Sequence, residues 1–565
     1  MFGSKSAGST LWTPESRSST GTTWVGQHHN ISPEISQKML SKCRPHSSSF
    51  VKLGRDSNQA LGLGQFAIDF LGGKFGDRVE KAVYDRVKLF HTDSVMCGIS
   101  ALAMKTNAPT ILRNEALGYP DKNGACVFGS SRRCAPEKAI VANCSAVREW
   151  DSNGTVFGYN EKLPGHQAGE FGHNDFYPVV VAAASQTPVD GHKALRAMLL
   201  SDEIRGRLAE VFSLKSHKID HVVHGAVASA AVYGALLGAS ADQIESAIGM
   251  TVAHYIPWRA IRAGKQLSDS KGASAAISTE AAILSTKRAM AGFQGPRDIF
   301  RNPEAIFRYF EKTNEDSPFD IVLSHSGPDF AVMAMHFKLG LYEHQSAGAL
   351  QGVIELLLKH PEIVRRPSSI RSIEITAYEP AFGIIGDPAK RDPKTRQSAD
   401  HSMVFIVSRL VQRANRAHKK GIDPIDVDSA WKAWMLAPHD YSKDALEDED
   451  TRAIMEKITF KHGGPEFDAK YPEGIPTAVE ILMKNGTRSK SGMVLFPAGH
   501  ARNTSADLKA ILDHKFKLLG SVALPEPELT ALIEKLQHME GLSAEQVAEL
   551  YDFEWSKLRK LKAID

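Results

Sequence analysis

Residues 222–237 and 273–284 are built chiefly from Ala, Gly, Ser and short aliphatic side chains. Side chains this small let helix axes approach closely, and a segment with little polar circumference must be covered on most sides. Both segments therefore belong in the interior of a helical assembly. Around them, from about Leu61 to Ser324, the pattern stays mostly helical. Val79, Val83, Val87 and Phe90 recur at three- and four-residue spacing with charges between them, which predicts an amphipathic helix over 79–97.

After about Ala331 the period changes. Ile373, Ile375 and Ala377 alternate with Glu374 and Thr376, and Val479, Ile481 and Met483 alternate less cleanly before Asn485-Gly486, a dipeptide that favours a tight hairpin into a strand ending near Val494–Phe496. Helices are expected over 346–359 and over 401–414, the second with Asp400 as its N-cap, and the acidic run 440–450 reads as a solvated connection. Leu529, Leu532, Ile533 and Leu536 mark a further helix, and Ser543 with Gln546 forms a capping box for a last one. The expected fold class is mainly α with an α+β second domain. The boundaries are a tail or transit segment over 1–46, a helical domain over 47–330, a smaller α+β domain over 331–500, and C-terminal helices over 501–565 that return to the helical domain.

Lys plus Arg number 68 against 65 Asp plus Glu, a formal charge of +3, so no global field draws the chain to nucleic acid or to an anionic membrane. Its longest apolar runs fall short of the ~20 residues of a membrane span. The five cysteines (Cys43, Cys97, Cys126, Cys134 and Cys144) contain no Cys-x-x-Cys pair, so no disulfide framework, zinc site or iron–sulfur site is signalled and reduced thiols are expected. No phosphate loop, His-Glu-x-x-His or Gly-x-Ser-x-Gly motif occurs, and neither cofactor nor metal is expected. The Ser-rich, acid-poor first 45 residues fit an organellar transit peptide only in part, because Met1–Thr10 holds a single Lys. A mitochondrial matrix location is the expectation, and a tail without an address, in a cytoplasmic protein, is the alternative.

Reactive side chains concentrate in five places. Asp151, Thr155, His173 and Asp175 share a breaker-rich stretch between apolar segments, where either a catalytic loop or an Asx turn with a helix cap fits. His217, Asp220, His221 and His224 precede the small-residue helix. Arg259, Arg262, Lys265, Ser268 and Lys271 crowd into a Gly-containing stretch that suits carboxylates, or is a solvated basic loop. Lys338 with His344, and His500 with Arg502, complete the set.

Asp151 with Thr155 and Gly-His173, Gln-Leu-Ser268-x-x-Lys271-Gly-Ala, Phe337-Lys338 with His344-Gln-Ser, Ala-Asp400-His401-Ser402 and Pro-x-Gly-His500-Ala-Arg502 occur in the order seen in the MmgE/PrpD family, which the chain resembles from about Gly72 onward. The resemblance, strongest to fungal members, implies a large helical domain, a smaller α+β lid, a cleft between them and a homodimer. It also implies metal-free dehydration of 2-methylcitrate to 2-methyl-cis-aconitate, in the methylcitrate cycle of propionate breakdown. Decarboxylation of cis-aconitate and dehydration of a longer alkylcitrate are the alternatives. Under it, Asp151, His173, Lys271 and His221 are catalytic, with His173 transferring a proton and Asp151 orienting it or receiving the proton. Thr155, Arg262, Lys265, Ser268, Lys338, His344, His401, His500 and Arg502 would hold the tricarboxylate. The chain departs from the family in three ways: Asp151-Ser-Asn-Gly-Thr155 lacks a second acid, Phe405 stands where a Tyr is frequent, and the connection from Thr155 to His173 is long.

Overall fold

The computed structural model describes residues 49–264, 266–553 and 563–564. The expected tail over 1–46, Cys43 and Lys265 lie outside the described residues. Twelve described helices exceed ten residues: α1 Gln59–Leu71, α2 Lys81–Ala103, α3 Asn107–Leu117, α4 Pro136–Arg148, α5 Gly191–Val211, α6 Val222–Leu236, α7 Ala241–His254, α8 Asp269–Met290, α9 Ala347–Lys359, α10 Met403–Lys419, α11 Leu508–Ala523 and α12 Glu526–Gln537. The two small-residue segments are α6 and α8, which pack on each other, and α8 also packs on α4 and α7. α2 buries Val83, Val87 and Phe90 as its period requires, and runs on to Ala103 because its second half is covered on all sides.

The strands are short. β1 (Phe50–Leu53) pairs with β6 (Ile321–Ser324), β2 (Pro120–Cys126) with β3 (Arg133–Cys134), and β4 (Thr155–Phe157) with β5 (Phe171–His173), all antiparallel. β7 (Ile370–Ala377), β8 (Ile458–His462), β9 (Thr477–Met483) and β10 (Arg488–Val494) form a four-stranded sheet in the order β10-β9-β7-β8, with β7 and β8 parallel. The β9–β10 turn carries Gly486 at φ +92°, a conformation open to glycine at no steric cost. α9 lies on β9 and β10, while α11 packs on α2. One continuous buried core runs through the helices and the sheet. A fully buried aliphatic or aromatic side chain contributes about 1.5–3 kcal/mol, so this packing outweighs any cap or turn.

Two local expectations are corrected. Asp400 is not the N-cap of α10: it ends a short turn of helix, Arg396–Ala399, and Ser402 precedes α10. Its carboxylate is drawn instead to Lys271, a stronger partner than a backbone N–H. The run 440–450 is not a solvated connection, because it forms short helices in which Asp440 is buried against Arg409 at 2.8 Å and Tyr441 is buried beside Phe405. The Phe405 departure thus lies in the core. Cys97, Cys126, Cys134 and Cys144 are buried free thiols.

Candidate active site

α4 is buried without a break from Ala139 to its end, where it closes on a charge, Arg148. Three residues on, Asp151 takes φ +50°, a left-handed conformation that Asp tolerates better than most side chains. The chain then enters β4, and the β4–β5 register sets Thr155 directly opposite His173. The stretch read as a loop is therefore a hairpin that brings these two residues side by side. Its long connection doubles back on itself, Gly158 N–H donating to Glu170 O at 2.8 Å and Asn160 N–H to His166 O at 2.7 Å.

Asp151 is the charge centre. Arg148 Nη1 lies 2.6 Å from its Oδ1, Lys338 Nζ donates to the same oxygen, and Lys271 Nζ and His401 Nε2 lie 3.1 and 3.2 Å from Oδ2. Lys271 bridges to Asp400 at 3.0 Å, and Asp400 Oδ1 lies 2.7 Å from His401 Nδ1. Burial by itself raises the Asp151 pKa, but Arg148, Lys271 and Lys338 overturn that and hold the carboxyl well below the usual range. From beneath, Lys515 of α11 pairs with the buried Asp93 at 2.7 Å and donates to Ser152 O at 2.7 Å and Lys338 O at 2.8 Å, tying both chain segments to one ammonium.

Above this cluster lies a small cleft of about 40 Å³. Arg148, Arg259, Arg262 and Lys390 supply its cations, His173, His221 and His401 its imidazoles, Glu343 its carboxyl, and Phe157, Phe171 and Ile384 its apolar wall. Arg148 Nη2 lies 3.2 Å from His173 Nε2; a guanidinium only donates, so Nε2 accepts and Nδ1 carries the proton, with no partner of its own. Burial, helped by Arg148, keeps the His173 pKa well below its ordinary value. His221 Nδ1 lies 3.6 Å from Asp220 Oδ1, neither ring nitrogen has a hydrogen-bond partner, and burial likewise keeps this ring neutral. The His173 and His221 rings are 5.1 Å apart. Burial and Lys271 pull the His401 pKa down to about 3 against the two carboxylates.

The other expected residues spread further. Thr155 lines the cleft while its hydroxyl donates to Gly172 O at 2.8 Å. Arg262 lines it too, bound to Asp220 through both Nε and Nη2. Lys271 and Lys338 are fully buried beneath the cleft, held by Asp151. Asp151 touches Arg148 and not His173, so the expected orienting contact is indirect. Ser268 is exposed at the N-terminus of α8, off the cleft, because the inward turn of that segment is made by Leu267 and Lys271. His344 stacks on His336 at 5.2 Å, and His336 on His500 at 4.1 Å, in a row that leads away from the cleft behind Phe157. His500 and Arg502 line a second cavity of about 190 Å³, where Arg502 is paired with Glu473 at 2.6 Å and Glu161 at 2.9 Å. His224 Nε2 donates to Phe212 O at 3.0 Å, and so does not converge with His221.

Arg148, Glu343 and Lys390 escaped the sequence reading as cleft residues, and Asp400 as a partner of Lys271, whereas Arg259 of the basic stretch does line the cleft. A charge ending the uncharged run 139–147 was the available signal for Arg148. Glu343 and Lys390 carry none, since only the fold sets them against the hairpin. The donor atoms of Asp151, Asp400 and His401 lie within 4.8 Å of one another, a cation-site spacing, but Lys271 touches both carboxylates and Arg148 and Lys338 hold the first. The position is already charge-balanced.

Neutral imidazoles and cations facing one cleft define an acid–base site for an anion on a mainly helical scaffold. Profiles of the MmgE/PrpD N-terminal domain and the MmgE/PrpD C-terminal domain match residues 69–318 and 434–538. The chain belongs to the MmgE/PrpD family. It is 22% identical over 461 residues to a 2-methylcitrate dehydratase of Escherichia coli K12, covering 80% of this chain and 89% of the relative. It is 21% identical to an alkylcitrate dehydratase of a fungal species (78% and 84% covered), and 20% identical to a mitochondrial 2-methylcitrate dehydratase of Yarrowia lipolytica (93% and 94% covered). No helix among the described residues is long and apolar enough to cross a membrane.

Proposed function

We propose that the protein eliminates water from 2-methylcitrate to give 2-methyl-cis-aconitate, without a metal. The observation that carries this reading is the cleft itself, in which four cations and three imidazoles face a single space. A tricarboxylate needs the cations, and removing a proton from carbon next to a carboxylate needs a base together with positive charge for the enolate-like transition state. Asp220 beside His221 Nδ1 favours the tautomer whose Nε2 lone pair is open, so His221 takes the carbon-bound proton. His173, fixed by Arg148, offers Nδ1–H to the substrate. Asp151 remains an anion that holds Arg148, Lys271 and Lys338 in place, and the charge balance around it and Asp400 supports chemistry without a divalent cation. The cleft is smaller than a tricarboxylate, so its walls part on binding.

The relative named alkylcitrate dehydratase supports a second reading, a longer alkyl substituent on the same core. A mitochondrial relative supports a mitochondrial location. The family resemblance implies a homodimer, and Ile277, exposed on the otherwise mostly buried α8, is a residue at which such a face can be probed.

Incubating the protein with citrate, 2-methylcitrate, longer alkylcitrates and cis-aconitate, with products identified by mass, tests the reading. Loss of water from an alkylcitrate is expected, and release of carbon dioxide from cis-aconitate alone would overturn it. His221→Ala and His173→Ala should each lower turnover about 10²–10⁴-fold by ultraviolet absorbance of the unsaturated product. Near-native rates in folded variants would remove both from the mechanism.

A further inference from the structure

Glu343 is the one carboxyl group among the side chains that line the cleft. Its backbone and its neighbours fix it there. The Glu343 N–H donates to Asp400 O at 2.9 Å, and its Oε2 accepts from Gln345 N–H at 2.8 Å, capping the short helix His344–Ser346. Lys390 faces it from the turn Pro388–Lys390, Asp151 and Lys338 lie beneath, Asp400 and His401 stand on the side of α10, and Tyr378 and Tyr471 close the side of the sheet. An ionised carboxylate here would repel a tricarboxylate that the surrounding cations attract. A neutral carboxyl removes that repulsion and adds a proton donor.

We propose that Glu343, as the neutral acid, delivers its proton to the hydroxyl that leaves the substrate. The inference rests on the dehydratase reading. His221 Nε2 takes the carbon-bound proton, that C–H pair becomes the new C=C bond, the C–O bond breaks, and the departing hydroxide leaves as water with the Glu343 proton. The carboxylate left behind faces the Lys390 ammonium. Burial, reinforced by the negative charge of Asp151, pushes the Glu343 pKa up to about 7, and burial brings Lys390 down to about 8, so both groups titrate near neutrality. His401 stays neutral across that interval.

The test uses the full chain with 2-methylcitrate as the probe and compares wild type, Glu343→Gln and Glu343→Asp. For wild type, kcat should fall as pH rises past about 7. Glu343→Gln should lower kcat about 10²–10³-fold, leave KM within a few-fold and remove the step at about 7, leaving only the fall that Lys390 contributes near 8, while Glu343→Asp should restore part of the rate with a displaced profile. An infrared difference spectrum of wild type minus Glu343→Gln should show a protonated carboxyl band near neutral pH that disappears on alkalinisation, a readout that needs no turnover. A Glu343→Gln enzyme with kcat within three-fold and an unchanged pH profile, or one affected in KM alone, would overturn the role. Absence of the infrared band would do the same. A wild type that dehydrates no tricarboxylate overturns both this inference and the reading it rests on, whereas an active wild type matched by Glu343→Gln overturns the inference alone.

Discussion

Asp151 illustrates how one buried anion can organise a cationic site. A carboxylate at 0% exposure carries a large desolvation cost, offset here because Arg148, Lys271, Lys338 and His401 all approach its two oxygens. Removing one partner leaves the others unbalanced, so Arg148→Ala should lower the unfolding free energy by about 3–5 kcal/mol. The pH dependence follows from direction. Asp151, and Asp220 held by Arg262, have folded-state pKa values below that of an unfolded carboxyl, ~3.9. Each contributes stability in full above that pH and loses it as pH falls through its folded value. Denaturant melts stepped from pH 7 to pH 3 should therefore show wild type losing stability with acid, and Arg148→Ala losing less because less was present. Equal melting midpoints for the two proteins at pH 7 would contradict this account of the cluster.

At the scale of elements, the hairpin β4–β5 carries Thr155 and His173 to the cleft, and its placement depends on a close approach to α5. A Cβ on Gly158 would lie 1.9 Å from Ala209 O on that helix. Gly158→Ala must therefore push the hairpin off α5 and, with it, His173 off Arg148. Displacements of about 1 Å in a positioned group cost on the order of 10²-fold in rate, so turnover should fall at least that far while circular dichroism retains the helical signal. A Gly158→Ala enzyme at wild-type rate would show that turnover does not depend on the hairpin's placement. α11 acts from the opposite end of the chain, since its Lys515 ties Ser152 and Lys338 to one point. The site thus draws on residues 148 to 515, and no local segment could assemble it.

At the scale of the molecule, α8 connects interior and surface: Lys271 points into the charge cluster, its Ala and Ser residues meet α4, α6 and α7, and Ile277 faces outward at 52% exposure. If two copies associate through this face, Ile277→Glu should shift a dimer to monomer in light scattering coupled to size-exclusion chromatography, and a wild-type monomer would refute the association. Much of this was legible beforehand. The small-residue segments of α6 and α8, the period of α2 and the Asn485-Gly486 turn are local patterns, and local sterics and hydrophobic periodicity act before any long-range contact exists. Asp151, Thr155 and His173 stood out because they cluster within one stretch. What only the tertiary structure decided is partnership. Asp400 reads as a helix cap until Lys271, 129 residues away, is set against it; Arg502 reads as a substrate cation until Glu473 and Glu161 claim it in another cavity; Glu343 carries no signal until the fold places it among cations. A side chain's type is written in the sequence, but its charge state, its partner and the space it faces depend on neighbours that arrive from distant parts of the chain, and those are fixed only when the core packs.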